Sequence, residues 1–504
     1  MSAFGTGVAR LCAVVATPNA SEFQRLVRSA LRQTPTVELR LDWLASDHER
    51  LKVLRWLKRF APKNAVFVAT CRRRIGGGEF AGGAEAELFW LRKAKEAGCL
   101  WCDLEIETLR ELPGKTAEGY ALPPKVLLSI HDFRRTPELP SKLKIAARDG
   151  VDAVKVAAMS RKLSDSTRLL RLARGSSKVV AVPMGEIGLP GRILALRQGS
   201  ALLYAPVAAA TAPGQVNLRD LKELYCAHTL TSKTRVYGVI GNPIGHSLSP
   251  LLHNTGYVAA RKDAVFLPFL VEQLAEFLKV GREFGVAGFC VTIPYKQKIF
   301  KYLDACDPLA EDIGAVNTVT VRANGTLVGT NTDYLGVLRA FEGKLNLKAS
   351  RVLIFGAGGA ARAAAFAMAK AGADILVCAR REQAAKELAR AVRGGVVKRA
   401  ALRNEKFDAI LNTTPIGMHP HAGSSPLEPA ELNCKLVVDL VYRPLRTKLL
   451  RLAAARRIRT VSGVEIFLAQ GIAQWELWMG SRAPEAAMRS AIMKTLRAEE
   501  RAES

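Results

Sequence analysis

Between residues 9 and 228 the chain alternates eight short, apolar, β-rich runs with amphipathic helical stretches, and then the pattern restarts. The runs fall at 10–16, 37–43, 65–71, 100–106, 126–131, 153–157, 179–184 and 201–207, with helical periodicity at 22–32, 49–60, 84–97 and 164–173. Parallel strands need a crossover of a dozen or more residues, and a helix is the usual one. Eight βα units in about 220 residues is the arithmetic of a (β/α)8 barrel. An open doubly wound sheet satisfies the same periodicity.

In a barrel the site lies at the C-terminal ends of the strands, so the polar residues there carry the argument. Glu38 and Arg40 alternate along the second run and point to one side together. Arg72 follows the third, His131 and Asp132 end the fifth, and Lys155 sits inside the sixth. Burying a charged amine in an apolar strand is costly, and its neutral form is a nucleophile for carbonyls. An imidazole beside it moves protons near neutral pH. Snorkelling of Lys155 to the rim, and a satisfied core histidine at 131, fit the same residues.

The second half opens at 236–254, where a strand-like run breaks at Gly241, Pro243 and Gly245, offers Ser247 and Ser249, and enters a helix at Pro250. Such a loop is a frequent ligand site; a tight turn with Ser249 as N-cap is the alternative. An Asn324-Gly325 pair marks a hairpin between 316–321 and 327–330. Thr292, Lys296, Asn317 and Asp333 gather at element ends, as a proton-transfer and hydroxyl-binding set or as a surface ion pair.

Residues 351–380 carry a sharper signal: strand, G-x-G-x-x-A turn (Gly356, Gly358, Ala361, with Gly359 and Ala360 between), helix and second strand. The glycines let backbone amides approach a pyrophosphate at the helix N-terminus. The second strand ends at Ala379-Arg380-Arg381, without an acidic residue for a ribose 2′-hydroxyl, so the arginines favour the 2′-phosphate of NADP over NAD. Strands at 407–412 and 436–440 and a helix near 447–457 complete a Rossmann-like domain. The expected division is a barrel over 1–228, a substrate-binding domain over 235–335 completed by helices of 464–504, and a dinucleotide domain over 336–463.

Composition narrows the setting. At 504 residues two or three domains are expected. No apolar run reaches membrane length, and the run 11–16 stops too soon at Pro18 for a signal peptide. Nine scattered cysteines suit a reducing cytoplasm. Cys99 and Cys102 have CxxC spacing, but no second pair stands at metal spacing, so no metal is expected. The net charge of +28 is spread over helix faces rather than gathered in a tail. It reads as a solvated surface favourable to anionic small molecules, not as a nucleic-acid footprint.

Five segments of the first half resemble type I 3-dehydroquinate dehydratase, in order and spacing: VELRLD (37–42), SIHDF (129–133), DAVKVA (152–157), PMGEIGLPGR (183–192) and TAPGQV (211–216). The resemblance implies that Lys155 forms a Schiff base with the C3 ketone of 3-dehydroquinate and that His131 moves the C2 proton. It implies that Arg192, Thr211 and Gln215 hold the carboxylate and hydroxyls, with Glu38, Arg40 and Arg72 on the remaining hydroxyls. The family usually has a Glu four residues beyond the Arg72 position, where it orients the catalytic histidine. Here Gly76 stands instead, so that either Glu79 substitutes from the same loop or the orienting group is absent.

The second half resembles shikimate dehydrogenase in YGVIGNPIGHSLSP, VTIPYK, GAVNTV, GTNTD, GAGGAAR, NTTPIGM, DLVYRP and GVEIFLAQG. By that resemblance Ser247, Ser249, Thr292, Asn317, Asp333 and Gln470 bind shikimate, Tyr442 lies close to it, and Lys296 and Asp333 form the acid–base pair. Thr413 and Gly463 line the nicotinamide slot, and Arg380 meets the 2′-phosphate. The family often has Asn-Arg-Thr where this chain has Ala379-Arg380-Arg381. The expectation is a bifunctional cytoplasmic enzyme that dehydrates 3-dehydroquinate and reduces 3-dehydroshikimate to shikimate with NADPH. Its partners are small molecules, not nucleic acid or membrane, and monomer and homodimer stay open. Two alternatives are a barrel without catalysis and a dehydrogenase preferring quinate and NAD.

Overall fold

The computed structural model describes residues 4–60, 62–113, 117, 119–138, 150–208, 215–419 and 421–503. Two compact units emerge, one of 1–234 with 269–285, the other of 235–268 with 286–504.

The first unit is built on eight parallel strands: β1 (Leu11–Val15), β2 (Thr36–Arg40), β3 (Val66–Thr70), β4 (Trp101–Glu105), β5 (Lys125–Asp132), β6 (Ala153–Met159), β7 (Val179–Met184) and β8 (Leu203–Pro206). They are hydrogen-bonded in the order β7-β6-β5-β4-β3-β2-β1-β8. At the seam between β7 and β8, Ala201 N–H donates to Val179 O at 2.8 Å. The sheet is thus a nearly closed barrel, and the open doubly wound alternative falls away.

Its strands are buried along their length because helices cover the outside while side chains fill the inside. Val14, Val68, Trp101, Leu127, Ala153, Val180 and Tyr204 form one apolar floor. Side chains alternate along a strand, so residues two and four positions further on share its inner face. Those residues are polar: Glu38 and Arg40, Thr70 and Arg72, Asp103 and Glu105, Ser129 and His131, and Lys155. The register confirms the grouping, pairing Val14 with Glu38, Thr70 with Asp103, Glu105 with Ser129 and Ser129 with Lys155.

The second unit contains two sheets. The first has order β10-β9-β11-β13-β14-β12 and joins β9 (Arg235–Gly241), β10 (Ala264–Leu270), β11 (Val286–Val291), β12 (Ala305–Cys306), β13 (Thr318–Val321) and β14 (Leu327–Thr330). The Asn324-Gly325 hairpin forms as expected: β13 and β14 are antiparallel, and Gly325 N–H donates to Arg322 O at 2.8 Å. The second sheet is wholly parallel, with order β17-β16-β15-β18-β19-β20. It comprises β15 (Arg351–Phe355), β16 (Asp374–Cys378), β17 (Gly395–Val396), β18 (Phe407–Asn412), β19 (Cys434–Asp439) and β20 (Arg459–Val461).

Helix Gly359–Lys370 follows β15 and is alanine-rich, which favours the helix and lets it lie close to the strands. Ala361, Ala363, Ala364, Ala365 and Ala367 are all fully buried there. No helix among the described residues is long and apolar enough to cross a membrane.

Candidate active sites

The polar inner face of the barrel is a charge network closed to solvent. Lys155 reaches the carboxylate of Asp103, stands 3.9 Å from Glu38 Oε1, and lies 4.8 Å from the Tyr204 ring centroid. Glu38 also accepts from Thr70 Oγ1 at 2.8 Å. Arg72 donates through Nε to Glu105 Oε1 at 2.6 Å, and its Nη2 lies 3.6 Å from Asp103. His131 Nδ1 meets Glu105 Oε2 at 2.9 Å. Arg40 makes a two-pronged pair with Asp42, at 2.9 and 2.7 Å. Snorkelling does not describe Lys155, which is buried; the His131 side chain is buried and satisfied, and its partner is a carboxylate of this network.

Burial of so many charges costs several kcal/mol per ion unless each is paired, and a site that keeps them is a functional candidate. Burial pushes the His131 imidazole well below its ordinary range, and the cations Arg72 and Lys155 push the same way. The ring is therefore a neutral acceptor at pH 7. Burial alone would raise the Asp103 carboxyl, but Lys155 and Arg72 hold it below the usual carboxylate range. Glu105 is raised by burial, with Arg72 opposing.

Arg192 lies in the short helix Leu189–Ile193 after β7 and is buried. Its Nε donates to Pro183 O at 3.0 Å, while Nη1 and Nη2 are buried without a partner among the described residues. Desolvation brings its pKa down to about 10. The geometry of such a guanidinium edge suits a planar anion such as a carboxylate. Gln215 lies among the described residues just after β8; Thr211 lies outside them.

Two residues of this network escaped the sequence reading. Asp103 and Glu105 lie on β4, whose flanking Leu104, Ile106 and CxxC cysteines read as a buried strand. The available signal was the one that singled out Glu38 and Arg40, two charges at alternate positions of one strand. Glu79, the suggested replacement in the loop, has its backbone N–H on Asp42 Oδ2 at 3.2 Å. The carboxylate on His131 comes from β4.

In the second unit Lys296 Nζ stands 2.5 Å from Asp333 Oδ2. Asn317 Nδ2 donates to Asp333 Oδ1 at 2.8 Å and to Thr332 Oγ1 at 3.0 Å, and its Oδ1 accepts from Thr332 N at 2.8 Å. Asp333 is the first residue of helix Asp333–Phe341, where a negative charge is favoured. Behind Asn317 a buried chain continues through Thr318 and Gln474 to His253, which stacks on Phe266 at 4.4 Å. The pair is partly buried and strapped in place, unlike a surface ion pair.

Ser249 begins helix Ser249–Ala259 and is buried, so the cap position falls on Leu248. The Ser247 hydroxyl accepts from Ser249 N–H at 3.3 Å, so the alternative of Ser249 as N-cap does not hold. Thr292 follows β11 directly, with its N–H on Ile240 O at 3.0 Å, so it flanks the same loop. Tyr442 stacks on Phe467 at 4.5 Å, and Gln470, one turn further along helix Gly463–Met479, donates to Phe467 O at 2.9 Å. Arg443 ties this segment to the serine loop by donating to His246 O at 3.1 Å. Asp439, also unforeseen, anchors the segment through Asn412, Thr447 and the Val441 amide.

The dinucleotide turn has the expected shape. Gly356 has φ +123°, and a Cβ there would lie 2.4 Å from Thr413 Oγ1. Gly358 caps helix Gly359–Lys370 with no side chain and has open space where a Cβ would be, so the first-turn amides stay free for a phosphate. Ala360 continues the first turn beside Gly359. A Cβ at Gly463 would meet Leu440 O at 2.5 Å, so that glycine permits a close approach to the end of β19. Arg380 and Arg381 follow β16, exposed and without a side-chain partner among the described residues. These features fit a dinucleotide with a 2′-phosphate.

Comparison with known proteins finds a family match in each half of the chain. The type I 3-dehydroquinase family matches residues 11–231, the shikimate dehydrogenase substrate binding domain 239–319, and the shikimate 5′-dehydrogenase C-terminal domain 463–493. Over 478 residues the chain is 34% identical to the chloroplastic bifunctional 3-dehydroquinate dehydratase/shikimate dehydrogenase of Arabidopsis thaliana, covering 89% of this chain and 78% of that one. It is 42% identical over 275 residues to a shikimate dehydrogenase (NADP(+)) of Bacillus cereus, covering 52% and 99%. A chorismate mutase/shikimate 5-dehydrogenase fusion protein from Clostridium acetobutylicum superposes with a TM-score of 0.50 at 31% identity, over 54% of this chain and all of that one. With its barrel lysine and histidine in one network and its lysine–aspartate pair beside a dinucleotide turn, the chain belongs to the bifunctional 3-dehydroquinate dehydratase/shikimate dehydrogenase family.

Proposed function

We propose that residues 1–228 dehydrate 3-dehydroquinate and that residues 235–504 reduce the product to shikimate, with 336–463 holding NADP(H). The observation that carries the first assignment is Lys155 and a neutral His131 on the same inner face, joined through Asp103, Arg72 and Glu105.

In the dehydratase, Lys155 Nζ adds to the C3 ketone and water leaves, forming an iminium. His131 takes a proton from C2, and the electron pair passes into a C2=C3 enamine. The enamine expels the C1 hydroxyl, which leaves as water with a proton returned by His131. Hydrolysis of the remaining imine frees the product and restores Lys155. The outer edge of Arg192 holds the substrate carboxylate, and Gln215 and Thr211 supply further polar contacts to it. Glu38, Arg40 and Arg72 order the hydroxyls.

In the dehydrogenase, Ser247 and Ser249 hold the carboxylate, with Thr292, Asn317, Gln470 and Tyr442 around the ring. Lys296 gives a proton to the forming hydroxyl, and Asp333 holds that lysine in place. When bound, NADPH supplies the reducing equivalents for the carbonyl. The turn at Gly356, Gly358, Gly359 and Ala360 cradles its pyrophosphate, Arg380 and Arg381 grip the 2′-phosphate, and Thr413 and Gly463 leave room for the nicotinamide. Nine free thiols suit a reducing compartment such as the cytoplasm.

One coupled assay tests both halves. Wild type supplied with 3-dehydroquinate and NADPH should consume NADPH. Lys155→Ala should do so only when given 3-dehydroshikimate. If Lys155→Ala still turns over 3-dehydroquinate, the Schiff-base assignment fails.

A further inference from the structure

We propose that Glu105 is the positioning residue of the dehydratase histidine, and that the glycine at 76 is what makes room for it. Among the described residues the His131 ring has one hydrogen-bond partner, Glu105 Oε2 at 2.9 Å from Nδ1. The other oxygen of that carboxylate is fixed by Arg72 Nε at 2.6 Å. A carboxylate held at both ends has one orientation. It keeps the proton on Nδ1 and the lone pair on Nε2, the nitrogen left to face substrate, and it stabilises the imidazolium formed when Nε2 takes the C2 proton.

The loop after β3 is shaped around this contact. A Cβ at Gly76 would come within 3.1 Å of Glu105 Cγ, 3.2 Å of Cδ and 3.3 Å of Oε2. Any side chain at 76 would therefore contend for the space that the Glu105 carboxylate occupies. The next two residues follow the same rule. A Cβ at Gly77 would lie 2.3 Å from Phe133, whose ring stacks on His131 at 5.9 Å, and one at Gly78 would lie 2.1 Å from Arg72 O. The three consecutive glycines accommodate, in turn, the carboxylate, the ring that stacks on the imidazole, and the backbone of the arginine that grips the carboxylate. Position 76 and position 105 are thus alternative origins for one carboxylate, and this chain draws it from the strand.

The charged groups around Glu105 are Arg72 from the loop after β3, Asp103 from its own strand, His131 from β5, Lys155 from β6, and Glu87 from the helix Ala84–Glu96 further off. Replacing the carboxylate with an amide leaves packing nearly unchanged but removes the acceptor that fixes the tautomer. Schiff-base formation at Lys155 does not use that acceptor.

The proposal rests on the dehydratase reading, and the test separates the two. Glu105→Gln should lower dehydratase kcat by about 100-fold with KM changed less than about threefold, since general acid–base catalysis is worth that much. It should shift the acidic limb of the kcat–pH profile, and it should still yield a borohydride-trapped adduct on Lys155. Glu105→Ala should lose as much, and Gly76→Glu combined with Glu105→Ala should regain at least about tenfold over Glu105→Ala by supplying the carboxylate from the loop. Wild-type kcat and pH profile in Glu105→Gln, loss of trapping in that variant, or no recovery in the double variant would each overturn it. Absence of trapping in wild type would remove the dehydratase reading itself.

Discussion

Asn317 and Lys296 grip opposite oxygens of the Asp333 carboxylate, the amide at 2.8 Å on Oδ1 and the ammonium at 2.5 Å on Oδ2. The aspartate is therefore a fixed post, and Lys296 is the group with protons to give. Lys296→Met should reduce kcat for shikimate oxidation by at least about 100-fold. NADP binding, followed by fluorescence, should be unchanged. A variant retaining a tenth of wild-type kcat would exclude Lys296 from proton transfer.

Arg192 offers a test in which affinity and stability move apart. Among the described residues its outer nitrogens are buried without a partner, a condition that penalises the folded protein. Arg192→Met should raise KM for 3-dehydroquinate by about 100-fold, the worth of a charged hydrogen-bonded pair. The melting temperature should hold or rise, because an uncompensated buried charge has gone. A fall in both affinity and melting temperature would assign Arg192 to the scaffold.

Cofactor choice should respond to the two arginines after β16. Replacing Arg380 and Arg381 together by Ala should raise KM for NADP at least about tenfold and leave KM for NAD within a factor of two. Initial rates with each cofactor at saturating shikimate decide this. Equal losses for both would move the 2′-phosphate contact elsewhere.

His253 should make the second unit sensitive to acid. Burial lowers its pKa from 6.5 to about 4, with the Gln474 bond opposing. Between those values the unfolded chain binds a proton that the folded chain refuses. The stability present above about pH 6.5 is therefore lost as pH falls toward 4, by up to about 3 kcal/mol. His253→Phe keeps the stack on Phe266 and loses one hydrogen bond, a pH-independent cost of about 1 kcal/mol. Urea midpoints at pH 7.5 and 5 should differ less in the variant than in wild type; equal differences would free His253 of this role.

What could be read from the sequence follows from periodicity. Alternation with helical crossovers showed eight βα units but not their closure, which depends on the seam between the Val179 and Ala201 segments, far along the sheet from one another. The dinucleotide turn was legible because Gly356, at φ +123° and close to Thr413, admits no side chain, and Gly358 leaves open space at the helix start, which marks the composition. The carboxylate on His131 was not, since β4 joins it to the histidine through space and 26 positions apart in the chain. Local reasoning looked for it in the loop beside Arg72, where the spacing is short. The sequence left the seating of Ser249 open, because a serine before a proline signals a helix start without saying which serine bonds the first amides.

Gly359 has a consequence for how the reduction is assembled. The stem of Lys296 passes 3.2 Å from where a Cβ at 359 would begin, so the lysine proposed to donate the proton rests directly on the turn proposed to receive the cofactor. On the proposed reading, the source of the proton and the seat of the electron donor lie side by side. The smallest residue in the alphabet acts there as a caliper, and a methyl group at 359 would push apart two supplies that must converge on one carbonyl.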